Sequence, residues 1–447
     1  MRAPPSAAVA VGAAAALALA ATARVPEAGA GWRFAFVAVH LAAAALSAWY
    51  VCRTPLGAPA VLVGALAFRL CALPMLPTLS DDGYRYLWDG RVAEAGVSPY
   101  RYRPSDPALS ALHDRAEYRR MNSQGYYSVY PPASQLAFAA AVRLAPGDGW
   151  KPAWWTWKLL LVGAELGAIA LLLRVARPSA VALYAWSPLA VVEVAGQGHT
   201  EALVVLGLAT AVAASRGRWP LASLGLTLAG AVKLYPLALL PLAWRREGWR
   251  GVAATAAVLL ATGALVWTPS AVAHVGESLG LFFGTFDQYA APYRLVKAAL
   301  YPALGAEAGA WASRLLGALF AAGAVLVWLA DDGTAPRFRW SVAAVVVGSA
   351  LTTSAVHPWY WLPVLFVLPL LETKTPIMWV STLSTASYLT YVGPSWDVPV
   401  LVVGWGGAAA LAWATRPAAT ARPPGARGRP SPWPRPSRAR RGSGGTR

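Results

Sequence analysis

Charge is what this 447-residue sequence has least of: only 13% of its residues are Asp, Glu, Lys or Arg, and 20 acids face 38 basic residues. A soluble fold of this length needs more charge to cover its surface, so a soluble globular protein is excluded. Cysteine is nearly missing as well. Cys52 and Cys71 stand at or in apolar segments without CxxC or Cys/His spacing, which removes a zinc site and leaves two inert membrane residues. No internal repeat of about 20 to 50 residues is visible, which argues against a solenoid.

What the sequence has instead is apolar length. Hydrophobic residues make up 57% of the chain, and the mean hydropathy is +0.46. A helix needs about 20 mostly apolar residues to cross a hydrocarbon core. Such runs lie at about 6–23, 33–51, 57–76, 153–173, 179–195, 199–215, 250–268, 311–330, 340–356, 358–371, 376–392 and 397–415. Shorter candidates lie at 132–146 and on either side of Lys233. The expectation is an all-α polytopic bundle with about eleven to thirteen crossings. The first run, from Met1-Arg2 to an Ala-Thr-Ala end, has the outline of a signal peptide, but the further spans favour an uncleaved first helix.

The net charge is +18. Roughly half of the excess lies after residue 415, in a tail of Arg, Pro, Gly and Ser without an acid or an apolar face. That composition predicts a disordered cytoplasmic tail over 416–447 that can touch anionic lipid head groups, and not a nucleic-acid partner. Counting spans from this tail puts Lys374, the stretch with Arg337 and Arg339, and the turn with Arg245, Arg246 and Arg250 inside, as the positive-inside rule requires. The same count places the junctions 196–200, 269–310 and 353–358 outside, on one face with the large polar loop 77–131. Were 132–146 a full span, Arg174 and Arg177 would lie outside, so it reads as a short, partly inserted or re-entrant helix.

The 77–131 loop concentrates charge in a chain short of it. It opens Ser80-Asp81-Asp82-Gly83-Tyr84-Arg85-Tyr86-Leu87-Trp88-Asp89-Gly90-Arg91 directly after an apolar span. Glycosyl transfer needs a carboxylate to deprotonate an acceptor hydroxyl, and cations or donors to meet a departing phosphate. This stretch supplies both. As an interfacial helix over 81–93, it would place Asp82, Arg85, Tyr86 and Asp89 on one face. The other reading is that the aspartates cap the helix and pair with Arg85, and sequence physics weighs the two evenly.

The pattern Ser80-Asp81-Asp82-x-Tyr84-Arg85-Tyr86-x-Trp88-Asp89-Gly90-Arg91 is followed by Gly96-Val97-Ser98-Pro99-Tyr100 and by Tyr130-Pro131-Pro132. Together they resemble bacterial GT-C glycosyltransferases, in particular polyprenol-phosphate-mannose-dependent mannosyltransferases. Gly198-His199-Thr200-Glu201 is similar to that family's Gly-His-Asn-Asp stretch, with Thr-Glu in place of Asn-Asp. Lys233-Leu234-Tyr235-Pro236 is similar to its Lys-x-x-Pro helix end, and His357-Pro358-Trp359-Tyr360 to its His-Pro-Trp-Tyr stretch.

The resemblance implies a GT-C helical bundle over 1–415 and a lipid-linked donor entering from the bilayer. It also implies an acidic extracytoplasmic catalytic loop at 77–131 and inversion at the sugar. It makes Asp82 the first choice for the general base, with Asp81 next. The partners it implies are a polyprenyl-phosphate sugar, with mannose favoured, and a glycolipid or glycan acceptor. The Asp81-Asp82 pair is of a type that binds a divalent ion, although a single aspartate base does not require a metal or other cofactor.

The remaining candidates each have a plainer account. His357 acts on donor phosphate or acceptor hydroxyl, or is an interfacial hydrogen-bonding residue. His199 with Glu201 orients the sugar or bonds across a helix gap. An unpaired Lys233 between apolar stretches is costly unless it snorkels or meets a phosphate in a cavity. Arg294 is a second phosphate candidate. Asp89 more readily orders Arg85 or Arg91, and Tyr130 accompanies them in the loop motif. Lys158 and Glu165, a heptad apart in one span, are expected to pair. The clusters Trp154, Trp155, Trp157 and Trp359, Tyr360, Trp361 are expected to form interfacial belts, with sugar stacking for one or two of them. A transporter or flippase is the alternative class; it would show inverted repeats and paired broken helices, of which only the break at Lys233 is visible.

Overall fold

The computed structural model describes residues 5–22, 31–217, 220–264, 267–371 and 374–415. The basic tail at 416–447 lies outside the described residues. Within them the chain is all-α: Ala- and Leu-rich runs are strong helix formers, and a helix satisfies its own backbone in lipid. There is no strand among the described residues, only an isolated bridge between Gln288 and Ala355.

Among the described residues, Gly31–Arg53, Trp150–Leu172, Ala291–Leu329 and Pro394–Ala414 are long and apolar enough to cross a membrane. Pro178–Ala185 with Pro188–Gly196 makes a fifth, bent by 48°. Other apolar runs appear as shorter helices, among them Ala58–Ala72, Glu201–Ala214 and Trp249–Ala264. Continuous spans are thus fewer than the expected eleven to thirteen, and the physical reason is visible. The run at 358–371 carries Pro358, Pro363 and Pro369, each without a backbone N–H, and splits into the turn Pro358–Trp361, the helix Leu362–Val367 and the turn Leu368–Leu370. The 132–146 segment is a single helix, Pro132–Arg143, about 18 Å long and too short to cross by itself.

Two expectations about buried side chains are corrected. Lys158 and Glu165 do not pair. Glu165 takes a bidentate contact from the fully buried Arg69, at 2.6 and 2.7 Å, and a hydrogen bond from the Tyr184 hydroxyl at 2.7 Å. Lys158 instead donates to the backbone oxygens of Leu73 and Met75, where the helix Ala58–Ala72 hands over to the polar loop. The two lie on one helix face, but the carbonyls at a helix end and an arginine from a neighbouring helix were nearer partners. Nor do Trp154 and Trp157 form a belt. Both are buried, and Trp157 Nε1 donates to Gly198 O at 2.8 Å, while Trp155 remains exposed.

Gln197 accepts from the backbone N–H groups of Thr78 and Leu79, and His199 stacks on Trp359, so the start of the polar loop, the 196–200 junction and the 353–360 stretch meet. The helix Ala271–Thr285 packs against the polar loop. Tyr127 stacks on His274 at 3.9 Å, His274 Nδ1 lies 2.7 Å from Tyr100 O, and Arg103 pairs with Glu277. The Tyr100 hydroxyl in turn donates to Tyr130 O at 2.6 Å.

Candidate active site

The helix Asp82–Glu94 starts where the sequence places it, with Asp81 at its N-cap and the Ser80 hydroxyl accepting the Asp82 N–H at 3.2 Å. Neither aspartate pairs with Arg85, which corrects that part of the plainer reading. Arg85 Nε donates to Asp89 at 2.7 Å, one turn along, and its Nη1 donates to the carbonyls of Ser123 and Tyr126. The second Asp89 oxygen accepts from Ser128 at 2.6 Å and from Gln135 at 3.0 Å. Arg85 and Asp89 therefore fasten the returning loop to the helix, and Gly90 lets the helix Pro132–Arg143 approach it. A Cβ on Gly90 would lie 2.5 Å from the Phe138 carbonyl oxygen.

Asp82 is different. Its carboxylate makes no hydrogen bond or ion pair among the described residues, and its side chain is half-buried at the start of a helix. Burial first, and then the charge of Asp81, push its carboxyl up to about 7, against the lowering pull of Lys233 and Arg85. Burial also raises Asp81, but a backbone hydrogen bond from Asn122 opposes the shift.

Opposite stands Lys233, at the break after the helix Pro220–Gly230. It is not unpaired. Its Nζ lies 3.1 Å from Glu201 Oε1 and 4.8 Å above the Tyr360 ring. Glu201, which stands in the sequence where the resembled motif has Asp, is thus the partner of the lysine.

The third wall is a stack of rings. Trp359 lies between two imidazoles, His199 at 3.9 Å and His357 at 4.4 Å, all nearly parallel. His199 arrives there because the preceding helix ends in a widened turn, Val191–Gly196, followed by Gly198 at φ +71°, where a Cβ would strike Trp154. Its Nδ1 lies 3.3 Å from the Tyr86 hydroxyl and its Nε2 3.3 Å from Glu193. Both Glu193 oxygens accept from the Tyr388 hydroxyl, at 3.0 and 3.1 Å. His357 is half-buried, and its ring nitrogens have no hydrogen-bond partner among the described residues. Burial, with Lys233 adding to it, lowers its pKa to about 4, so the ring is neutral near pH 7.

Sequence reasoning missed Glu193 and Tyr388. The signal for Glu193 was present as the one acid inside the run 179–195, an intramembrane carboxylate of the kind that needs a partner. Arg294, the second phosphate candidate, has acidic partners of its own. It pairs with Asp397 and, at 2.6 Å, with Asp287, beside Lys297 in a shallow open pocket, and no described contact links it to Asp82. The Tyr130 ring meets the Tyr86 ring edge-on at 5.1 Å. Burial, and next the Asp82 charge, keep the Tyr130 phenol protonated.

The arrangement combines an unpaired carboxylate that takes a proton near neutral pH, a neutral imidazole with open nitrogens, protonated phenols and one compensated ammonium. A family model described as alpha-(1->6)-mannopyranosyltransferase, N-terminal domain, matches residues 5–246, more than half of the chain. The match includes Asp82, His199, Glu201 and Lys233; His357, Trp359 and Tyr360 lie beyond it. No curated protein and no solved structure matches the chain.

Proposed function

The chain belongs to this alpha-(1->6)-mannopyranosyltransferase family, a membrane mannosyltransferase of the GT-C type, and from that premise we propose that it takes mannose from a polyprenyl-phosphate carrier. The acceptor is a hydroxyl of a glycolipid or glycan on the extracytoplasmic face. The observation that carries the reading is Asp82: a half-buried carboxylate at a helix start with no hydrogen bond or ion pair among the described residues, poised to ionise near neutral pH.

Asp82 accepts the proton of the acceptor hydroxyl as its oxygen attacks the anomeric carbon of the mannose. The bond from that carbon to the phosphate oxygen breaks on the opposite side, so the configuration inverts. An α-linked product, as the family's description has it, then requires a β-linked donor. His357 and the Tyr130 and Tyr360 hydroxyls supply hydrogen bonds to the sugar or phosphate. The Tyr360 ring is the aromatic surface beside Lys233, and the faces of Trp359 are already taken by His199 and His357. Lys233 with Glu201, and His199 with Glu193, hold this constellation in place, as Arg85 and Asp89 hold the loop. One base and a receptive phosphate site suffice, so transfer persists in EDTA.

The basic bias of the opposite loops supports the extracytoplasmic assignment. The test is incubation of membranes carrying the chain with synthetic radiolabelled polyprenyl-phosphate mannose. Label in lipid or glycan acceptors is expected. Label entering those acceptors only from a nucleotide sugar would overturn the donor assignment.

A further inference from the structure

A departing polyprenyl phosphate needs a positive group to receive it, and the cations singled out by sequence already have acids. Lys233 is held by Glu201, Arg85 by Asp89, and Arg294 by Asp287 and Asp397. Arg33 has none among the described residues. It stands in the first turn of the apolar helix Gly31–Arg53, where helix-end N–H groups already favour an anion. Its guanidinium carbon lies 5.1 Å from the Trp32 ring and 5.3 Å from the Tyr391 ring. Its Nε is buried and has no hydrogen-bond partner among the described residues. An arginine at a span end often just lies along the interface. Here two aromatic rings flank the guanidinium. Its Nη1 and Nη2, which make no hydrogen bond among the described residues and are not buried as Nε is, form the open end of a planar fork that suits oxygen acceptors.

Arg33 is connected to the reacting end of the bundle. Tyr391 stacks on Tyr388 at 6.4 Å, Tyr388 donates to Glu193, and Glu193 touches His199, which meets Tyr86 on the Asp82 helix. The Tyr391 hydroxyl also feels the charges of Asp82, Asp81 and Arg33. Exposed Phe34, Leu46 and Trp49 continue the same helix toward its far end, as a lipid-facing surface does.

The geometry points to Arg33 as the residue that binds the phosphate of the lipid-linked donor, with the sugar reaching across Tyr391 toward Asp82 and the prenyl chain remaining in the bilayer. The inference rests on the donor reading above. In the transfer, the acceptor oxygen bonds to the anomeric carbon and its proton passes to Asp82. The electron pair of the broken bond stays on the phosphate oxygen, turning a phosphodiester monoanion into a monoester dianion. Arg33 meets that second charge.

The test uses the full chain in proteoliposomes, comparing wild type, Arg33→Gln and Arg33→Lys for donor KM, acceptor KM and inhibition by polyprenyl phosphate. Arg33→Gln is expected to raise donor KM and weaken product inhibition about tenfold or more, with acceptor KM unchanged and Arg33→Lys partly restored. Unchanged inhibition by polyprenyl phosphate overturns the inference. So does competition by phosphatidylglycerol as strong as that by polyprenyl phosphate, which would make Arg33 a general head-group contact. If the Gln variant fails to insert, the Lys variant decides, since loss of the fork must still weaken inhibition several-fold. A wild type that takes no mannose from this donor would instead bring down the donor reading itself, a separate result.

Discussion

Lys233 and Glu201 lie 3.1 Å apart, joining the break after Pro220–Gly230 to the first turn of Glu201–Ala214. Glu201 is almost wholly buried, while Lys233 keeps a quarter of its side-chain surface. Removing the acid leaves a cation that solvent only partly satisfies. Glu201→Gln should therefore destabilise by about 1–3 kcal/mol, less than a fully buried pair. The double variant Glu201→Gln with Lys233→Met should recover part of the loss. Thermal unfolding in detergent measures both.

The buried pair of Arg69 and Glu165 should cost more to break. Both side chains are fully inaccessible, and Tyr184 adds a third contact. Arg69→Met strands an ionised carboxylate, with an expected loss of about 3–5 kcal/mol and much reduced expression. Near wild-type unfolding would show that Glu165 finds another partner.

Asp89→Asn should loosen the loop rather than the chemistry. It removes the charge that holds Arg85 and accepts from Ser128 and Gln135. Limited proteolysis is expected to cut within 98–130 far faster than in wild type, and activity should fall as the loop frays. Unaltered proteolysis with full activity would contradict this fastening role.

The pH dependence follows from Asp82, whose carboxyl is pushed up to about 7 by burial and by Asp81. A base must be ionised, so kcat/KM should rise with pH through about 7 and fall off in acid. Stability runs the other way. A carboxyl raised in the folded state favours folding below its unfolded value near 3.8, and that advantage is lost as pH rises through about 7. Asp82→Asn should abolish the ascending limb of the rate profile and unfold no earlier than wild type at pH 7.5.

How much of this was legible in the sequence depended on the range of the interaction. The Asp82 helix could be read because its pattern is local: three acids, an arginine and aromatics at helical spacing after an apolar run. The grouping of 196–200 and 353–358 with the loop followed from counting spans and basic loops. Partners across the bundle could not be read. Lys158 and Glu165 look like a pair on one helix face, yet each found a nearer partner on a neighbouring element. Trp154 and Trp157 have the composition of a belt, but Gly198 opens room for them in the core. Arg33 and Glu193 were single charges at or within apolar runs, and their meaning rests on Tyr391 and Tyr388, 358 residues from Arg33 and 195 from Glu193.

The most direct test of the account is transfer of radiolabelled mannose from polyprenyl-phosphate mannose by membranes carrying wild type beside membranes carrying Asp82→Asn at equal expression. Wild type should label the acceptor, and Asp82→Asn should fall by about 10²–10⁴-fold while keeping its unfolding temperature. Equal labelling by both would contradict Asp82 as the base.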